Sequence, residues 1–170
     1  MSDRVAPHDL TAERAVLGAV LIEPEMFDVA EASGLRAVHF FRVAHRQLWE
    51  GFGRIRATGQ SIDAVTVRAD LETAGTLDDI GGLAYVVGLT DGVPRAVNVE
   101  GYARIVRQHA QRRDLIAQAA RTIEDAFEGG DVDALVDRAE SRLMAVGRDA
   151  TRPSSGPRAA RRAGSCGWRP

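Results

Sequence analysis

From Tyr102 to Glu128 no glycine or proline interrupts the chain. Tyr102, Ile105, His109, Arg112, Ile116, Ala119 and Ile123 recur at three- and four-residue spacing, and Val106, Ala120 and Phe127 widen the stripe. This pattern predicts one helix from about Val97 to Phe127, roughly 46 Å long at 1.5 Å per residue. Glu128-Gly129-Gly130-Asp131 breaks it. A second apolar stripe follows from Val132 to Val146, with Leu135, Val136, Ala139 and Leu143. Two helices joined by so short a loop must lie antiparallel. The chain must therefore build a long helical hairpin.

The residues before it predict short helices. Thr11 can cap a first helix ending near Ile22, and Pro24 suits the first turn of a second from Glu25 to Ala32. Val43 to Ala57 carries Leu48, Trp49, Phe52 and Ile55 on one face, and Gly59 closes it. Asp63 caps Ala64 to Thr73, closed by Gly75. Gly81 to Gly88 predicts a fifth helix, because the β-prone run Ala84–Val87 is short and isolated. The fold class is all-α: a small globular helical bundle, a long antiparallel helical hairpin and a disordered C-terminal tail. The expected divisions are a flexible N-terminus (1–7), a globular subdomain (8–95), the hairpin (96–147) and the tail (148–170).

The hairpin's long arm outruns what the short helices can cover. Either it folds back so that all its apolar residues join the core, or its distal end meets another subunit or partner. The apolar surplus favours the second.

All 22 basic residues are arginine. Without lysine there is no P-loop and no Schiff base in this chain. The single Cys166 leaves no internal disulfide and no cysteine zinc site. The longest apolar run, Ala15–Ile22, is far short of a membrane span, so the expectation is a cytoplasmic protein without membrane contact. All 24 acids precede residue 151, whereas residues 151–170 carry five arginines and no acid. That basic stretch is rich in Gly, Pro and Ser and is expected to stay disordered.

Local signals of chemistry are weak. His39 and His45 sit six apart, not at a metal pair's i, i+4 spacing, and read as capping and packing residues. Asp131, Asp133 and Asp137 resemble part of a calcium loop but lack its glycine and its glutamate, and read as acids at a helix start. Gly51-x-Gly53-x-x-Arg56 fails as a dinucleotide fingerprint. No catalytic, cofactor or metal residue is assigned.

Five blocks carry a specific resemblance. They are LTAERAVLGAVL (10–21), HFFRVAHRQLWEGFGRI (39–55), GQSIDAVTV (59–67), DIGGLAY (79–85) and AVNVEGYARIV (96–106). In this order they resemble the N-terminal domain of DnaB-type replicative DNA helicases, over roughly residues 8–147. The resemblance implies a globular helical domain followed by a hairpin. In the family such domains pair through their hairpins, three pairs form a collar above the hexameric motor, and the collar docks primase and, in some systems, a helicase loader. It therefore implies a non-catalytic oligomerisation module acting in DNA replication, with DNA met only indirectly. The self-association seam implied here is Ile116, Ile123, Phe127, Leu135 and Val136. Arg112, Arg113 and Arg121 form a candidate partner rim. The family's ATPase domain, with its Walker lysine, ATP and Mg, does not follow in this sequence. The expected reading is thus a truncated or frameshifted member, inactive alone and without a cofactor of its own. The alternative is a small nucleic-acid-binding or regulatory helical protein that uses its arginine-rich tail.

Overall fold

Asp9 starts the first helix. Its backbone is extended and its carboxylate accepts the Ala12 amide at 2.9 Å, so it takes the cap that the sequence suggested for Thr11. The computed structural model describes residues 5–91, 93 and 98–151, the last five as backbone only. The tail beyond Thr151 and the first four residues lie outside the described residues.

Helix α1 (Leu10–Ile22) is buried nearly all round, through Ala12, Ala15, Val16, Leu17, Ala19 and Val20. A helix apolar on every side belongs in the middle of a bundle. Gly18 is essential to that position, since a Cβ there would collide with the Leu89 carbonyl and the Val93 side chain. Helix α2 (Met26–Ala32) turns Phe27 and Ala30 inward. Pro24 and Glu25 form the turn before it rather than its first turn. After Gly34, at φ +89°, a single 3-10 turn (Ala37–His39) leads into α3 (Val43–Ala57).

Helix α3 buries Leu48, Trp49, Phe52 and Ile55, the face its spacing predicts. Helix α4 (Ala64–Ala74) is capped by Asp63 and ends at Gly75, φ +68°. Helices α5 (Leu77–Ile80) and α6 (Gly82–Gly88) follow. Asp78 and Asp79 lie in the single turn of α5. The apolar run at Ala84–Val87 is helical, and no strand occurs among the described residues.

Helix α7 (Val99–Glu128) and helix α8 (Val132–Thr151) form the hairpin. Gly129 and Gly130 between them take φ of +80° and +117°, which only glycine adopts without strain. Asp131 starts α8 by accepting the Ala134 amide at 3.2 Å.

One apolar cluster joins α1 to α6 and the first turns of α7, through Val99, Ala103 and Val106. At its centre Trp49 packs on Phe27 and Phe40, with ring centroids 4.7 and 5.4 Å away. Each large side chain fully buried here contributes roughly 1.5–3 kcal/mol. Helix α7 is thus shared: its first turns complete the core of the body, contacts with the body continue to Arg113, and the helix beyond stands clear of it. Among the described residues none after Ala110 is buried.

Candidate protein-interaction surface

The distal hairpin is built the opposite way from an ordinary two-helix seam. The residues of α7 half-buried against α8 include Gln111, Gln118, Thr122 and Asp125. Asp125 fixes the pairing: Arg142 donates to it at 2.6 Å, and Arg138 lies 4.0 Å away. The apolar stripe of α7 lies on the far side, facing neither α8 nor the body. Ile116 is 57%, Ile123 58% and Phe127 89% exposed, and Ala119 and Ala120 lie between them, also exposed. Leaving three large apolar side chains in water on one stripe forgoes several kcal/mol of burial.

The five seam residues fall on two surfaces. Ile116, Ile123 and Phe127 share the outward stripe of α7. Leu135 repeats with Ala139, Arg142 and Val146, the half-buried positions of α8, and so turns toward α7. Val136 is exposed beside them, with Val132 and Leu143 as exposed apolar neighbours on α8.

The three rim arginines also part company. Arg112 and Arg121 are exposed. Arg113 is used within the chain. It donates to the Pro7 carbonyl at 2.9 Å and to the His39 carbonyl at 2.7 Å, and its guanidinium lies over the Phe41 ring. Burial lowers its pKa from the ordinary arginine value, and the negative charge of Glu13 opposes that shift. Arg113 thereby ties the segment before α1 down onto α7. His8, stacked on Phe41 at 4.3 Å, continues the tie.

The sequence did not announce a second polar centre beneath this surface. Glu13 and His45 are the two buried charged or polar residues among the described ones. The Glu13 carboxylate accepts the Phe41 amide at 2.6 Å and pairs with His45 Nδ1 at 2.6 Å. His45 Nε2 lies 2.7 Å from the Tyr85 hydroxyl, to which Arg42 Nη1 donates at 2.9 Å. His45 thus bridges the carboxylate and the hydroxyl, one through each ring nitrogen. Arg42 begins α3 without a side-chain cap, and Glu13 supplies the anion there from α1. His39 caps its own turn, its Nδ1 accepting the Arg36 amide at 3.0 Å. Glu13 and His45 are buried, and with Tyr85 they link α1, α3 and α6.

The chain is thus a globular helical body carrying a rod-like hairpin with an uncovered apolar stripe. The family described as DnaB-like helicase N terminal domain matches residues 5–108, and the chain belongs to that family. It is 38% identical over 146 residues to the replicative DNA helicase DnaB of Geobacillus stearothermophilus, covering 85% of this chain and 32% of that one. The Mycobacterium leprae replicative helicase DnaB is 37% identical over 147 residues, with 84% of this chain and 24% of that one covered. The chain therefore spans about a third or less of these relatives. Among solved structures, the N-terminal domain of DnaB helicase from Mycobacterium tuberculosis superimposes with a TM-score of 0.77 at 35% identity, covering 83% of this chain and 99% of that one. A DnaB-like replicative helicase studied for its interactions with primase matches with a TM-score of 0.70 at 26% identity, over 87% of this chain and 33% of that one. Among the described residues no helix is long and apolar enough to cross a membrane.

Proposed function

We propose that this chain is the collar module of a replicative DNA helicase: it associates with copies of itself through the hairpin and, in that assembly, docks primase or a helicase loader. The observation that carries the reading is the stripe of Ile116, Ile123 and Phe127, which neither α8 nor the body covers. Membership of the family supports the replication context, and the relative studied with primase supports the kind of partner. The work of such a module is mechanical, joining and presenting subunits, and ATP turnover belongs to the motor domain of such helicases.

Sedimentation equilibrium of the full chain tests the self-association. Reversible dimers are expected at micromolar concentration, and Phe127→Asp, which places a charge at the hairpin's tip, should return them to monomers. A wild-type chain that stays monomeric at high micromolar concentration would sink this reading. Primase docking is checked by titrating a labelled primase into the dimer.

A further inference from the structure

The segment before α1 is a strap. Residues 5–7 cross α7 with Pro7 held by Arg113, and strap and helix enclose a groove of about 480 Å³. Val5, Ala6 and Pro7 form one wall, and Ile116, Ala117 and Ala120 form the other. The groove is apolar and continuous with the exposed stripe of α7, since Ile116 and Ala120 belong to both. At the other end of the same stripe stands Phe127, the most exposed large apolar side chain among the described residues.

Resting on the self-association reading, we propose that this groove is the socket for Phe127 of a second copy, so that the N-terminal strap is part of the dimer interface. Two observations fix the occupant. The first is register. A two-fold contact requires that if one residue meets another, the reverse contact also forms. Ile116 and Phe127 are eleven residues apart on one stripe, about 16 Å. An axis midway between Ala120 and Ile123 sets Phe127 of each copy at Ile116 of the other. The same axis sets each Ile123 against the other copy's Ala120, large against small, and brings Phe127 to the groove beside Ile116, whose remaining lining includes the small Ala6, Ala117 and Ala120.

The second observation is charge. Residues 122–137, around the tip, hold six carboxylates and no arginine, whereas residues 104–114, at the base, hold four arginines and one acid. A parallel pairing would press two acidic tips together within a Debye length. An antiparallel pairing lays each acidic tip beside the other copy's basic base, where Arg112 is exposed. Shape and charge thus select the same arrangement, and it brings Phe127 to the strap.

The test compares dimer dissociation constants of four full-length proteins by sedimentation equilibrium: wild type, Phe127→Ala, a deletion of residues 2–7, and both changes together. The deletion spares His8 and the α1 cap at Asp9. Ala6→Asp, which keeps the strap's length, serves if the deletion shifts the urea midpoint. Either strap change should weaken the dimer about tenfold, the scale of one apolar contact within an interface. Phe127→Ala should weaken it at least as much, and the combined protein should be no weaker than Phe127→Ala alone, because both changes empty the same socket. If the strap changes leave the constant unaltered, or add fully to Phe127→Ala, the socket is refuted while self-association stands. If wild type does not dimerise at all, both readings fail.

Discussion

Phe52 and Phe127 are the same residue type on amphipathic helices of one chain, with opposite surroundings. Phe52 is fully buried in the body, and Phe127 is 89% exposed at the hairpin's end. The body keeps its apolar side chains inside and joins its helices through them. The distal hairpin sets Gln118, Thr122 and Asp125 of α7 against Leu135, Ala139 and Arg142 of α8 and turns Ile116, Ile123 and Phe127 out. The body thus closes its apolar core within the chain, whereas the hairpin leaves an apolar stripe uncovered.

The sharpest way to break this comparison is to truncate both phenylalanines. Phe52→Ala should cost about 3–5 kcal/mol of stability, as other large-to-small core changes do. Phe127→Ala should change the stability of the dilute monomer by less than about 0.5 kcal/mol. Urea midpoints measured well below the dimer constant decide the matter, and equal losses would erase the distinction between the two regions.

The buried polar centre belongs to the body's side of the contrast. Glu13→Ala strips the Phe41 amide and His45 of a buried acceptor, and about 3 kcal/mol should be lost. Thermal unfolding would show it, and a loss below 1 kcal/mol would mean that water or a rotated side chain replaces the carboxylate.

A surface cap makes a smaller, pH-dependent contribution. Hydrogen bonds from the Thr66 and Val65 amides hold the Asp63 carboxyl below its ordinary pKa. A lowered folded pKa stabilises above the unfolded value, near 3.9, and the stabilisation fades as pH falls through the folded one. Asp63→Ala should cost about 1 kcal/mol at pH 7 and progressively less as the buffer is taken below about pH 4. A cost that stays constant down to pH 2 would contradict the ionised cap.

The smallest effect is expected inside the hairpin. Asp125→Asn weakens the pairs with Arg142 and Arg138, which are partly exposed, and should cost the chain about 0.5 kcal/mol. Hydrogen exchange should nevertheless quicken in the second half of α7 and in α8 while the body's amides remain slow. Uniform acceleration across the chain would show that the two regions open together.

The body's helices were legible because their punctuation is local. Asp63, Gly59 and Gly75 mark ends within a few residues of the stripes they bound, and α3 runs from Val43 to Ala57 as its spacing predicts. The long rod was legible for the same reason. A surplus of apolar residues on the distal hairpin followed from counting them against available cover, but that Ile116, Ile123 and Phe127 turn away from α8 did not. That depends on Asp125 meeting Arg142 across the loop. The Glu13–His45–Tyr85 centre was hidden because its members lie 32 and 40 residues apart, and no local pattern relates them. Arg113 looked like a surface residue because Pro7, its partner, is 106 positions away.

The sharing of α7 between the two regions has a mechanical consequence. About 18 residues of α7, some 27 Å, extend past Ala110 with no glycine or proline to interrupt them. The helix is rooted in the core by Val99, Ala103 and Val106 and is therefore a lever without a joint. A tilt of about 10° at the root carries the tip roughly 5 Å over that length. Any partner that grips the tip thereby sets the attitude of the whole body, and any force on the body is delivered, magnified, to whatever the tip holds.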